Sequence, residues 1–247
     1  MSSLKLIAGP CVIENFKQTY KIAQILKNIT DKLNIDFTFK ASYDKANRTS
    51  IDSYRGPGIT NGLPMLQKIK EALGISVTSD IHSIDEVLPA ARTLDIIQIP
   101  ALLCRQTDLI VEAAMTQKEL NIKKGQFLSP WDVEHIIEKA HSVGNYKVNI
   151  IERGSSFGYG NVVIDMRNIE RMKSFGCKII VDVSHSAGHR SYTPDLARAA
   201  VAAGADGIFI ETHPNPQIAL CDGKTSMDIS KLEDLLVQLI KIKEAIK

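Results

Sequence analysis

Residues 178–211 read KIIVDVSHSAGHRSYTPDLARAAVAAGADGIFIE, and this stretch decides the fold. A β-branched run, Lys178–Val183, is a strand candidate that ends among the polar residues Asp182 and His185. A second run, Gly207–Glu211, ends at Glu211. Between them lies a helical pattern that Thr193-Pro194 opens, as an N-cap followed by proline at the first helical position, and Gly204 closes. Strand, helix and strand in this order make a βαβ unit, whose two strands lie parallel.

The same alternation runs outward through the rest of the chain. Further strand candidates are Leu4–Ala8, Phe37–Ala41, Ser76–Ser79, Ile96–Ile99, Asn121–Lys123 and Val148–Glu152, each followed by a helical pattern. Ser83 with Glu86 and Ser230 with Glu233 read as capping boxes opening two helices. Gly74, Gly144 and Gly176, like Gly204, fall where helices should end. Eight βα units in 247 residues predict an α/β fold, a (β/α)8 TIM barrel forming one domain over residues 1–247. A doubly wound open sheet is the alternative, but no glycine-rich dinucleotide fingerprint follows the first strand.

The composition excludes several classes. The net charge of +2 is too small to argue for nucleic acid or a membrane surface. No apolar run is long enough to span a bilayer, and the N-terminus lacks the regions of a signal peptide, so a cytoplasmic protein is expected. Cys11, Cys104, Cys177 and Cys221 show no CxxC spacing, which suits free thiols or a metal ligand better than a disulfide framework.

Barrel chemistry collects where strands end and enter the next helix. In chain order those ends lead to Cys11 and Glu14; to Lys40, Ser42, Lys45, Asn47 and Arg48; and to Asp80 and His82. They then lead to Gln98; to Lys124 and Gln126; to Arg153; to Asp182 and His185; and to Glu211 and His213, with Asp222 in the loop beyond. The opposite strand ends show no comparable cluster. Lys40, Lys45, Arg48, Lys124 and Arg153 would converge on one small mouth, which predicts an anion site suited to phosphate and carboxylate groups. Any one of these lysines could equally pair with a carboxylate on the rim. Cys11, His185, Glu211 and Asp222 could approach one point, and such a mixed soft and hard donor set suits Fe²⁺, Zn²⁺, Mn²⁺ or Co²⁺ better than Mg²⁺. A buried apolar thiol is the alternative for Cys11, and a hydrogen-bonded barrel residue for His185. His82 and His213 could as well bond loop backbone. Cys104 and Cys221 are expected to be thiols without a metal, and Trp131 to pack on the first turn of the fifth helix. The C-terminal KIKEAIK is expected to be a solvated helix face.

The segment KASYDKANRTSIDSYRGPG, residues 40–58, resembles the second strand and loop of the metal-dependent 3-deoxy-D-manno-octulosonate 8-phosphate synthases. That family is related to the heptulosonate phosphate synthases. Similar motifs cover nearly the whole chain: GPCVIE from Gly9, IQIPA from Ile97, CRQTDL from Cys104, KKGQFLSP from Lys123, ERGSSFGY from Glu152, VSHS from Val183, LARAAVAAGADG from Leu196 and ETHPNPQIALCDG from Glu211. KANR is the most specific, because the heptulosonate synthases carry a proline-containing KPR segment there.

The resemblance implies condensation of phosphoenolpyruvate with arabinose 5-phosphate, for the octulosonate sugar of lipopolysaccharide. It also implies a divalent transition metal on Cys11, His185, Glu211 and Asp222, and a homotetramer. By the same resemblance, Lys40, Ser42, Lys124 and Arg153 would hold phosphoenolpyruvate, and Lys45 would lie between the substrates. Asn47, Arg48, Ser50 and Asp80 would hold the sugar phosphate, and Gln98 and Gln126 would line the site. Lys45, His185 and Asp222 are the candidate catalytic residues. One stretch departs from the family: SAGHRSYTPDLARAA after His185 is shorter than the usual glycine-rich loop and looks more like the heptulosonate synthases. It makes Arg190 a candidate active-site contact. The alternatives are therefore a heptulosonate phosphate synthase using erythrose 4-phosphate, or a non-catalytic barrel that binds anions.

Overall fold

A computed structural model describes residues 4–246. Eight strands form the barrel: β1 (Lys5–Gly9), β2 (Asp36–Lys40), β3 (Ser76–Asp80), β4 (Ile96–Ile99), β5 (Glu119–Lys123), β6 (Val148–Glu152), β7 (Lys178–Asp182) and β8 (Gly207–His213). They pair in sequence order, all parallel, and β8 returns to β1 to close the sheet. Outside them lie α1 (Phe16–Leu33), α2 (Gly58–Leu73), α3 (Val87–Thr93), α4 (Thr107–Met115), α5 (Val133–His141), α6 (Arg167–Lys173), α7 (Thr193–Ala202) and α8 (Leu232–Ala245). The expected (β/α)8 barrel is the fold. The predicted strands lie within two residues of the observed bounds.

Closure requires close backbone approach where β1 meets its neighbours. A Cβ on Gly9 would lie 1.9 Å from the Lys40 carbonyl oxygen, and one on Gly207 2.6 Å from that of Lys5. Only glycine fits there. Strand alternation then sends one set of side chains out against the helices, as with Leu6, Ala8 and Phe39, and the other into the barrel.

The interior has three levels. At the N-terminal end Lys5 donates to Glu119 at 2.6 Å, and Asn149 bonds both Glu119 and Asn121. This polar plug corrects the expectation that the lower strand ends carry no cluster. The middle level is apolar: Ile7, Ile151, Ile180 and Phe209 pack together. Above them, at the C-terminal mouth, the strands end in charge.

Helix termini correct some of the cap assignments. Gly74 ends α2 in the left-handed conformation, and the amides of Gly144, Gly176 and Gly204 turn back onto carbonyls of the preceding helix residues. Ser83, however, makes no side-chain cap bond; Glu86 instead accepts from Tyr43 and from the His82 amide. Asp228, not Ser230, caps the turn leading into α8: its carboxylate accepts both the Ser230 amide and the Ser230 hydroxyl. Glu233 pairs with Lys32 on α1. Thr193 and Pro194 are the first two residues of α7, so the cap position falls on Tyr192, one residue ahead of the expected Thr193. Trp131 lies in a 3-10 turn ahead of α5, more than half exposed, with the Arg171 guanidinium 5.2 Å from its ring centre.

Candidate active site

A cavity of about 270 Å³ opens at the C-terminal mouth. Lys45, Arg48, Lys123 and Arg153 line it, brought there from the ends of β2, β5 and β6. Asn47, Thr49, Asp80, His82, His185 and Asp222 share its walls. Arg48 pairs with Asp222 and Lys123 with Asp182, but four cations face only Asp80 and Asp222 on the walls, so the cavity favours anions.

Beneath the cavity floor the charges are paired. Lys40 is buried, 3.1 Å from Asp80, and donates to the Ser42 hydroxyl at 2.6 Å. Asp80 also accepts from Ser42 and from the Gln98 amide. Burial pushes the Asp80 carboxyl up, but Lys40, Lys45 and Lys123 outweigh it and hold the group well below the usual range. Lys45 shows the converse: burial pulls its ammonium down, while Cys11, Asp80 and Glu211 keep it charged.

The adjacent lysines on β5 correct one assignment. Lys124 does not face the cavity. Its ammonium is buried among the carbonyls of Gly125, Leu128 and Gly154, 3.5 Å from Glu152, where it neutralises an internal carboxylate. Lys123 points inward instead, 2.7 Å from Asp182 and 4.0 Å from the centre of the Phe209 ring. Burial pulls its ammonium down and Asp182 opposes that. Alternation explains the difference: Lys123 keeps step with Glu119 and Asn121, which both turn into the barrel. Gln126 and Ser50 do not line the cavity either. The Gln126 carbonyl pairs with the Ser156 amide, and Ser50 turns its hydroxyl to the Asp52 amide, leaving Thr49 on the wall. Gln98 lies below the floor with its side-chain oxygen Oε1 unpartnered. Arg153 lines the cavity, and its Nε has no partner.

The four predicted metal ligands form two groups that share Asp222. Ligand atoms of His185, Glu211 and Asp222 lie within 4.8 Å of one another, as do those of Cys11, Cys221 and Asp222. Cys11 donates to Asp222 at 3.0 Å, and its sulfur lies 2.7 Å from that of Cys221. Cys221, which the sequence reading set aside, is therefore beside the site; its neighbour Asp222 was the available signal. Cys104 is buried away from it. Burial pushes the Cys11 thiol up, and the Cys221 thiol and Glu211 add to this.

Asp182 organises the histidine. Its Oδ1 accepts the amides of Ser184 and His185, capping the one-turn helix Val183–Ala187, and its Oδ2 accepts from His185 Nδ1 at 2.7 Å. That bond fixes the ring with Nε2 facing Glu211 at 3.6 Å and Asp222 at 3.7 Å. Burial alone would pull His185 down, but Asp182 and Glu211 raise it. Both carboxylate oxygens of Glu211 are buried without a hydrogen-bond partner. A buried, unpartnered carboxylate facing an oriented imidazole, with a second carboxylate and a thiol alongside, fits a cation. His82 pairs with Glu86 on the cavity wall, and His213 is buried against Gln18 and Glu14.

A family model described as the DAHP synthetase I family matches residues 2–247. A protein of Desulfatibacillum aliphaticivorans is 52% identical over 98% of this chain and 93% of its own length. One of Geotalea uraniireducens is 53% identical over 97% and 91%, and one of Geobacter sulfurreducens 50% identical over 99% and 94%. Each of these relatives bears the name 2-dehydro-3-deoxyphosphooctonate aldolase.

Proposed function

The chain belongs to the DAHP synthetase I family, and from that premise we propose that it condenses phosphoenolpyruvate with D-arabinose 5-phosphate and water, giving 3-deoxy-D-manno-octulosonate 8-phosphate and inorganic phosphate. The observation that carries this reading is the mouth cavity, where four cations from three strand ends face one another beside an oriented histidine and carboxylates. The names of the relatives and the KANR segment favour the five-carbon acceptor over erythrose 4-phosphate. An enzyme also fits the site better than a silent anion binder, since a binder has no need of the unpartnered Glu211.

The reaction forms a bond between C3 of phosphoenolpyruvate and the sugar aldehyde carbon. Water adds at C2, and phosphate leaves by C–O cleavage. Both reactants are anions that repel in water. Lys123 and Arg153, with Lys40 below them, offset the charge of phosphoenolpyruvate. Asn47, Arg48 and Thr49 on the outer wall receive the sugar phosphate. Lys45 lies between the two groups and stays protonated as a donor to a developing oxyanion. His185, held by Asp182, and Asp222 can each take a proton from the water that adds at C2 or give one to the aldehyde oxygen as it becomes a hydroxyl.

Cys11, His185, Glu211 and Asp222 would hold a divalent transition metal, Fe²⁺, Zn²⁺, Mn²⁺ or Co²⁺, which supplies Lewis acidity toward a carbonyl or water when bound. The reading includes a cytoplasmic homotetramer that serves lipopolysaccharide synthesis. It includes no nucleic-acid or membrane partner; no described helix is long and apolar enough to cross a bilayer.

Phosphate release from phosphoenolpyruvate with each sugar phosphate, before and after chelation, tests the whole reading. Release with arabinose 5-phosphate, lost on chelation and restored by a divalent transition metal, is expected. Turnover with erythrose 4-phosphate alone would change the acceptor, and chelator-resistant turnover would remove the metal.

A further inference from the structure

Asp222 takes a backbone conformation that few residues other than glycine, asparagine and aspartate adopt. Its φ is +49°, in the left-handed region. Its carbonyl accepts the Thr225 and Ser226 amides and the Thr225 hydroxyl. Its neighbour Gly223 lies so close to the Pro216 carbonyl oxygen that a Cβ would approach to 2.2 Å. A loop in this state persists only if its surroundings hold it.

Cys11 and Arg48 reach the Cys221 and Asp222 side chains, and two further ties from outside hold the backbone of the loop. Glu14, beyond β1, accepts the Leu220 amide at 2.9 Å. On the other side Arg190 donates twice: its guanidinium to the Gly223 carbonyl at 2.9 Å and its own amide to the Lys224 carbonyl at 2.9 Å. Only Gly188 and His189 separate Arg190 from the one-turn helix that carries His185. The compact loop after β7 therefore binds the Asp222 loop and the His185 helix into one frame. Arg190 does not line the mouth cavity, contrary to the sequence expectation.

We propose that Arg190 is a positioning residue that holds Asp222 in place for cation ligation by clamping the Gly223–Lys224 backbone. The proposal rests on the reading of Cys11, His185, Glu211 and Asp222 as a metal site. It also assigns a purpose to the short seventh loop, which brings Arg190 to those two carbonyls with only two residues between it and the His185 helix.

The test has two readouts on metal-free protein. Amide hydrogen exchange at Thr225 and Ser226, whose N–H groups bond the Asp222 carbonyl, reports the clamp without any metal. Titration with Co²⁺, followed by the thiolate-to-cobalt absorption band and by calorimetry, reports ligation. Arg190→Met is expected to speed exchange at these two amides about tenfold or more while the amide of Ile97 in β4 is unchanged. It should weaken Co²⁺ binding about 10- to 100-fold, the usual range for a residue that orients a ligand. Arg190→Lys, which keeps one donor, should fall between, and it serves as the test if Arg190→Met does not fold. In an Asp222→Ala background Arg190→Met should weaken Co²⁺ binding less than twofold further.

Wild-type exchange at Thr225 and Ser226 in the variant overturns the clamp, whether or not Co²⁺ binds. Faster exchange with unchanged Co²⁺ affinity overturns the link to ligation, as does a full loss of affinity in the Asp222→Ala background. If the wild-type protein binds no Co²⁺, the metal reading itself falls, and the assigned purpose with it.

Discussion

Lys123 and Lys124 are neighbours in the chain and serve different parts of the molecule. Because strand side chains alternate, one residue separates a cation in the cavity from a cation inside the protein wall. Replacing each by methionine should therefore fail in different ways. Lys123→Met is expected to lower turnover on the order of 10²-fold, since it removes a charge facing the anions, and to cost less in urea unfolding than Lys124→Met, because Asp182 keeps the His185 ring and two amides when Lys123 is gone. Lys124→Met is expected to cost about 3–5 kcal/mol in urea unfolding, because it leaves Glu152 buried and unpaired. Equal losses of activity at equal stability would contradict the assignment. Much of the site was legible at this scale: Lys45, Arg48, Asp80, Arg153, His185 and Asp222 were each read from strand ends and line one cavity. The sequence alone did not say which of two lysines points inward. That depends on the register of β5 against β4 and β6.

Between elements, loops are joined by carboxylates that leave their expected roles. Glu86 was read as half of a capping box. It instead ties the turn leading into α3 to the loop after β2, accepting from Tyr43 at 2.6 Å and from the His82 amide at 3.0 Å. Burial pushes the Glu86 carboxyl up, but bonds from the His82 ring and Tyr43 outweigh it and hold the group below its ordinary value. A depressed carboxylate adds stability above its unfolded pKa, near about 4.3, and that contribution is lost as pH falls through the folded value. Glu86→Gln should therefore lower stability at neutral pH and flatten the decline below about pH 4. Urea midpoints between pH 3 and pH 7 check this, and an unchanged slope would sink it. Capping patterns failed here because a distant phenol and a neighbouring amide compete for the same oxygen. No local spacing records that competition.

On the scale of the whole molecule, barrel closure and a charged mouth are set against each other. The mouth crowds like charges, and the apolar level around Phe209 and the polar plug below stabilise the frame that holds them. Closure depends on backbone approach at the β1 seam. Gly9→Ala should cost about 3 kcal/mol or more, since the Lys40 carbonyl that blocks its Cβ is sheet backbone that cannot yield. Gly144→Ala, whose Cβ meets open space at a φ of +78°, should cost only about 1–2 kcal/mol. Urea unfolding of the two variants compares them, and equal costs would show that the seam is not tight. The order of strands and helices, the barrel, and the polar groups at its C-terminal strand ends were determined by sequence alone. Hydrophobic period, β-branched runs and helix-ending glycines are local properties that a chain carries before it folds. Tertiary structure alone decided that Cys221 sits against Cys11, that Asp182 aims His185, and that Arg190 grips the Asp222 loop. Each of those contacts joins separate elements, and their distances exist only once the sheet has closed.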